Sequence, residues 1–129
     1  MSALLLDTNA FAMVLTDDPR LPGPARERIV GADRAALSVI SLYEIGQKVR
    51  LGKWRAMEPF ASDLVERAYR DGFDLVPLSP SAALDASLLA WEHRDPFDRM
   101  IAVVARQEGL VLISADNAFD ALDLPRLWD

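Results

Sequence analysis

The chain has no cysteine and a single histidine, His93, among its 129 residues. The first absence excludes disulfides and thiolate metal sites, and the second leaves little nitrogen for a borderline metal centre. Any resident metal is therefore expected to be a hard cation held by oxygen. Basic residues are also few: 14 Lys and Arg stand against 20 Asp and Glu, a formal net charge of −6. This balance excludes a protein that coats nucleic acid through a broad basic surface. It leaves open phosphate chemistry at an acidic cluster neutralised by cations, with arginines such as Arg94 and Arg99 meeting phosphates locally. Long apolar runs are missing too. The opening "MSALLLDTNAF" has no basic leader, and its apolar stretch meets Asp7 too soon for a signal peptide or a membrane span. A cytoplasmic protein without membrane association is expected.

What is present is a chain of 51% hydrophobic residues, enough for one domain over residues 1–129 that buries roughly two thirds of its unfolded surface. Short apolar runs alternate with helical patterns. "ALLL" (3–6) reads as a buried strand, followed by a helix after Asp7. A loop with three prolines leads to a helix near residues 24–31. "AALSVIS" (35–41) suggests a second strand running into the helix "SLYEIGQKVRLGKW" (41–54). Residues 59–70 form an amphipathic helix with Phe60, Leu64 and Ala68 four apart. "FDLVPL" (73–78) is a third strand, and Ser79-Pro80 opens a helix reaching Trp91. The helix from Pro96 ends at Gly109, before the strand "LVLIS" (110–114). A short helix "ADNAFDAL" and an edge strand "LPRLW" complete the chain. The alternation predicts an α/β fold: a mostly parallel sheet flanked by helices, with right-handed crossovers.

Four acids stand at ordered places in this pattern, and each has a plain explanation. Asp7 closes the first strand and suits a helix cap. Ser41-x-x-Glu44 matches a capping box. Asp98, three residues after the cap Asp95, complements a helix dipole. Asp116 follows the fourth strand and suits another cap. Helix capping accounts for each alone but not for their convergence. Asp7, Glu44 and Asp116 all follow strand ends at the edge where ligands bind in parallel sheets, and no cationic partner is evident to relieve their repulsion.

The blocks "LLLDTNAF", "SVISLYEIG", "HRDPFDRMIAVVA" and "LISADNAF" resemble, in order and spacing, the acidic signatures of the PIN domain in VapC-type toxins. The resemblance runs from about residue 3 to residue 128. It implies a PIN-like fold, a Mg²⁺- or Mn²⁺-dependent endoribonuclease, an RNA substrate, a cognate VapB-type antitoxin and a homodimer. Its catalytic and metal-binding acids fall on Asp7, Glu44, Asp98 and Asp116, with Asp7 and Asp98 assigned the main direct metal contacts. Thr8 and Asn9 match positions after the first acid, Ser114 the small hydroxyl residue before the last, and Asp95 a companion of the third that serves first as a cap. Where many relatives carry glutamine, this chain has "AVVA".

Arg94 and Arg99 are candidates for contacting substrate phosphate or balancing the acids. His93, beside the proposed site, is read as exposed or phosphate-contacting rather than catalytic. Trp54 and Phe60 are expected to anchor an antitoxin segment in a groove over residues 24–70. Two rival readings remain: a metal-dependent phosphatase of a small molecule, against which the absence of a DxDxT-type nucleophile motif counts, and a non-catalytic interaction domain, which has no need of a repulsive cluster.

Overall fold

The run Ala3–Leu6 forms strand β1, and everything that positions the acids is built around it. In the computed structural model, which describes residues 2–129, β1 is joined by β2 (Arg34–Ser38), β3 (Asp74–Val76), β4 (Val111–Ile113) and β5 (Arg126–Leu127). The sheet order is β3-β2-β1-β4-β5 and every pairing is parallel. β1 pairs with β2 on one side and β4 on the other, with Leu5 level with Ala36 and Leu112. The chain thus winds outward from β1 in both directions, which opens a crevice at the carboxyl ends of β1 and β4.

Seven α-helices accompany the sheet among the described residues: α1 (Thr8–Leu15), α2 (Gly23–Val30), α3 (Val39–Arg50), α4 (Glu58–Ala61), α5 (Leu64–Arg70), α6 (Pro80–Leu88) and α7 (Pro96–Glu108). Side chains alternate across β1, so Leu4 and Leu6 face one core and Leu5 the other. The first core gathers Phe11, Ala25, Ile45, Leu64 and Ala68 from α1, α2, α3 and α5. The second takes Ala82 and Ala86 from α6 and the run Ile101–Ala105 from α7. Helices therefore cover both faces, and strands buried on both sides read as continuous apolar runs.

Helix α7 follows its sequence signals closely. Asp95 accepts a hydrogen bond from the Phe97 amide at 2.9 Å, Pro96 occupies the first turn, and Gly109 ends the helix at φ 67° in the left-handed region. Ser79 likewise caps α6 through the Ala82 amide.

Elsewhere the boundaries differ from expectation. β2 stops at Ser38, whose hydroxyl accepts from the Ile40 amide and caps α3. Val39 and Ile40, β-branched residues that read as strand, are the first residues of that helix. Ser41 therefore lies inside α3, and the capping box expected for Ser41 and Glu44 does not exist. The helix expected over 59–70 is broken at Ser62-Asp63, where Asp63 takes φ −126° and ψ 29° outside helical geometry. Short polar side chains of this kind favour turns over helix interiors. Helix α6 ends at Leu88 rather than Trp91, and a 3-10 turn (Asn117–Ala121) takes the place of the last short helix.

Candidate active site

Six polar or charged residues are buried among the described residues: Asp7, Thr8, Ser38, Ser41, Glu44 and Ser114. All six sit at the carboxyl ends of β1, β2 and β4 or in the helical turns that follow. A protein interior places polar groups in one spot only when they have partners or a task.

Asp7 leaves β1 with its amide donating to the Ile113 carbonyl at 3.0 Å, which ties it to the end of β4. Its Oδ1 accepts from the Ala10 amide at 2.8 Å and caps α1. Only 6% exposed, its carboxyl is pushed up to about 6, chiefly by burial and further by the charges of Asp98 and Glu44. Hydrogen bonds from the Ser114 hydroxyl and the Ala10 amide oppose that rise. The capping role and a place in the site therefore coexist in one side chain. Thr8 is buried beside it and donates to the Ser41 hydroxyl at 2.9 Å, joining α1 to α3.

Glu44 projects from the second turn of α3 and is slightly more buried than Asp7. Its Oε2 accepts from Lys48 Nζ at 2.7 Å, and the same ammonium lies 5.3 Å from the Trp54 ring centre. The expectation of no cationic partner is thus corrected. The i, i+4 spacing of Glu44 and Lys48 was a signal for the pair. Glu44 Oε1, in contrast, is buried without any hydrogen-bond partner.

Asp98 comes from the first turn of α7 and accepts from His93 Nε2 at 2.7 Å. Burial raises its pKa first of all; the hydrogen bond and charge of His93 oppose this, while Asp95 and Glu44 add to it. His93 is half-buried, not exposed as expected, and stacks on Trp91 at 4.6 Å between ring centres. Trp91 in turn packs against Phe119 in the 3-10 turn that Asp116 caps through the Ala118 amide. One ligand atom each from His93, Asp98 and Asp116 lie within 4.8 Å of one another.

Arg99 is placed differently from the reading that gave it substrate phosphate. Its Nε donates to the Ala86 carbonyl, Nη1 to those of Trp91 and His93, and Nη2 to that of Leu89, at 2.6–3.0 Å. Four of the five guanidinium donors are thus engaged, three by the irregular segment carrying Trp91 and His93 and one by the end of α6. Among the other expected residues, Asn9 is exposed on α1, and Ser114 is buried, its Oγ accepting from the Asp116 amide at 3.0 Å. Asp95 serves as the α7 cap. Trp54 and Phe60 are not free anchors: both pack on the first core and lie under Lys48 and Arg67. A cavity of about 250 Å³ does open between α3 and α5, lined by Leu42, Gly46, Leu64 and Val65 among others, but neither aromatic lines it.

The donors at this edge fit a hard divalent cation. Leaving a buried oxygen such as Glu44 Oε1 unpaired costs about 1–3 kcal/mol, and a cation among the carboxylates offsets both that cost and their mutual repulsion. Asp98 and Asp116, with His93, bring ligand atoms close enough to share one ion, and the charges of Asp98 and Glu44 reach Asp7.

The PIN domain model matches residues 4–124. No curated protein sequence matches the chain significantly. Among solved structures, the chain is similar to one in the VapBC2 complex of Rickettsia felis bound to a promoter DNA fragment, with TM-score 0.73, 20% identity and coverage of 98% of this chain and 99% of that one. It is also similar to VapC20 of Mycobacterium tuberculosis, a toxin described as cleaving the sarcin-ricin loop, with TM-score 0.70, 16% identity and coverage of 98% and 100%. A third is a chain of DNA-bound VapBC from Salmonella typhimurium, with TM-score 0.68, 23% identity and coverage of 98% and 96%. At these identities the likeness is one of fold.

Proposed function

The chain belongs to the PIN-domain family, and we propose that it is a metal-dependent endoribonuclease acting as the toxin of a VapBC-type toxin-antitoxin pair. The observation that carries this reading is the buried edge itself: Asp7 is desolvated and feels the charges of Asp98 and Glu44, and Glu44 Oε1 is buried and unpaired. Such an arrangement costs stability in the absence of a cation, so a purely structural or interaction role does not account for it.

Asp7, Glu44, Asp98 and Asp116 would hold Mg²⁺ or Mn²⁺. When bound, the ion supplies Lewis-acid polarisation of a phosphoryl oxygen and makes water acidic enough to attack phosphorus. The chain's own residues set the geometry. Ala10 N–H orients the Asp7 carboxylate, and the Thr8–Ser41 hydrogen bond fixes α3, and with it Glu44, against α1. Lys48 lowers the negative charge an approaching phosphate meets. His93 steadies Asp98, and Arg99 fixes the segment behind it. The family resemblance implies products with a 5′-phosphate and a 3′-hydroxyl.

The toxin-antitoxin complexes among the similar structures support a cognate VapB-type antitoxin as partner. A homodimer and a cytoplasmic location belong to the same reading; no helix among the described residues is long and apolar enough to cross a membrane.

The test is incubation of purified protein with structured RNAs in Mg²⁺, Mn²⁺ or EDTA, followed by mapping of fragment ends. Cleavage is expected only with the cation, and Asp7→Asn or Asp98→Asn should slow it more than about a hundredfold while circular dichroism stays unchanged. Undiminished cleavage by either variant, or by wild type in EDTA, would overturn the assignment.

A further inference from the structure

We propose that His93 is a direct ligand of the divalent cation, completing with Asp98 and Asp116 a set of one nitrogen and two oxygens that favours a borderline transition ion such as Co²⁺ over Mg²⁺. This rests on the reading of the edge as a cation site and adds a residue to it.

The spacing suits one ion. The three ligand atoms lie within 4.8 Å of one another. In an octahedral shell with bonds of about 2.1 Å, neighbouring ligands stand roughly 3 Å apart and opposite ones roughly 4 Å. His93 Nε2 and Asp98 Oδ2 are already 2.7 Å apart. A cation would bind to one side of this contact: Nε2 gives up its hydrogen, a proton on Nδ1 keeps the imidazole neutral, and the nitrogen lone pair and the carboxylate oxygen turn to the metal.

The imidazole is held for this in advance. Its ring stacks on Trp91, which packs on buried Phe119, and its backbone carbonyl accepts from Arg99 Nη1 at 3.0 Å. Such restraint lowers the ordering cost of coordination. An independent feature points to a ligand at the same edge: Glu44 Oε1, buried and unpaired, belongs to a carboxylate whose charge is felt by both Asp98 and Asp7. Oxygen-only sites suit Mg²⁺, whereas an imidazole shifts preference along the transition series.

His93 is the only histidine, so untagged protein gives an unambiguous signal. Electron spin-echo measurements on the Mn²⁺-loaded wild type should show ¹⁴N modulation from a coordinated imidazole, replaced by the ¹⁵N pattern when histidine is ¹⁵N-labelled; this requires no variant. Calorimetric titrations with Co²⁺ and Mg²⁺ supply the second readout. His93→Gln, which keeps a hydrogen bond to Asp98 within reach, should weaken Co²⁺ binding about tenfold or more and Mg²⁺ binding less than about threefold. Absence of nitrogen modulation, or equal weakening of both ions, would overturn the proposal and leave His93 a positioning partner of Asp98. The nuclease reading would stand in that case if Asp98→Asn still abolished ion binding. Wild type that binds neither ion would overturn both.

Discussion

The floor and the rim of the proposed site are built by different means. Asp7 and Glu44 form the floor, almost wholly buried, each delivered by a strand end and the helix that follows it. His93, Asp98 and Asp116 form the rim; there the His93 and Asp98 side chains keep 26% and 20% of their exposure. The floor is held by regular hydrogen bonding. The rim depends on one arginine, one aromatic stack and one short 3-10 turn. Floor residues are thus placed by the fold as a whole, while rim residues are placed by a few contacts that one substitution can remove.

The largest expected effect separates the two halves. Arg99→Ala leaves four carbonyls of the segment before α7 without their charged donor and should cost about 4 kcal/mol, a fall in melting temperature of roughly 15 °C. Arg99→Lys should not restore it, because an ammonium does not reproduce the planar fork. Hydrogen exchange should show lost protection around residues 89–95, with β1 and α3 retaining theirs. Equal loss in both halves would erase the distinction.

A smaller effect reports on the floor. Asp7 has a folded pKa of about 6 against an ordinary 3.8. A raised acid contributes stability that is complete below the unfolded value and lost as pH climbs through the folded one. In EDTA, stability should therefore decline between about pH 4 and pH 6, by on the order of 3 kcal/mol. Asp98 shifts in the same direction. The exposed pairs of Asp18 with Arg20 and Asp120 with Arg126 lower their acids, so their contribution is already complete above the unfolded value and does not mask the decline. Denaturant melts across this range should show the slope for wild type and a much flatter curve for Asp7→Asn.

The smallest effect belongs to a residue beside the rim but outside it. Asp95→Ala removes the α7 cap and should cost about 1 kcal/mol, equally in EDTA and in Mg²⁺. A metal-dependent loss would bring Asp95 into the site.

The same contrast explains what was legible in the sequence. Asp7 was readable because an apolar run ends on it, and α7 because Asp95, Pro96 and Gly109 mark both its ends. The parallel sense of the strands followed from alternation, whereas their order did not. Ser41 was misread because Val39 and Ile40 carry strand propensity, while Ser38 stops β2 and starts α3. His93 was undervalued for a different reason. Its position is set by Arg99 six residues on and by Trp91 stacked on Phe119, contacts that no local pattern announces. Repulsion among the acids was legible from their placement, yet burial is the leading cause of the raised carboxyls at both Asp7 and Asp98.

The central claim is that the floor carboxylates are kept for a cation and not for the fold. It is tested most directly by the melting temperatures of wild type and Asp7→Asn near pH 7, in EDTA and in Mg²⁺. Asparagine keeps an oxygen for the Ala10 amide and loses the buried charge. The variant should melt several degrees above wild type in EDTA and gain little from Mg²⁺, whereas wild type should be stabilised by the ion. A variant that melts below wild type by the same amount in both solutions would make Asp7 a structural cap and contradict the claim.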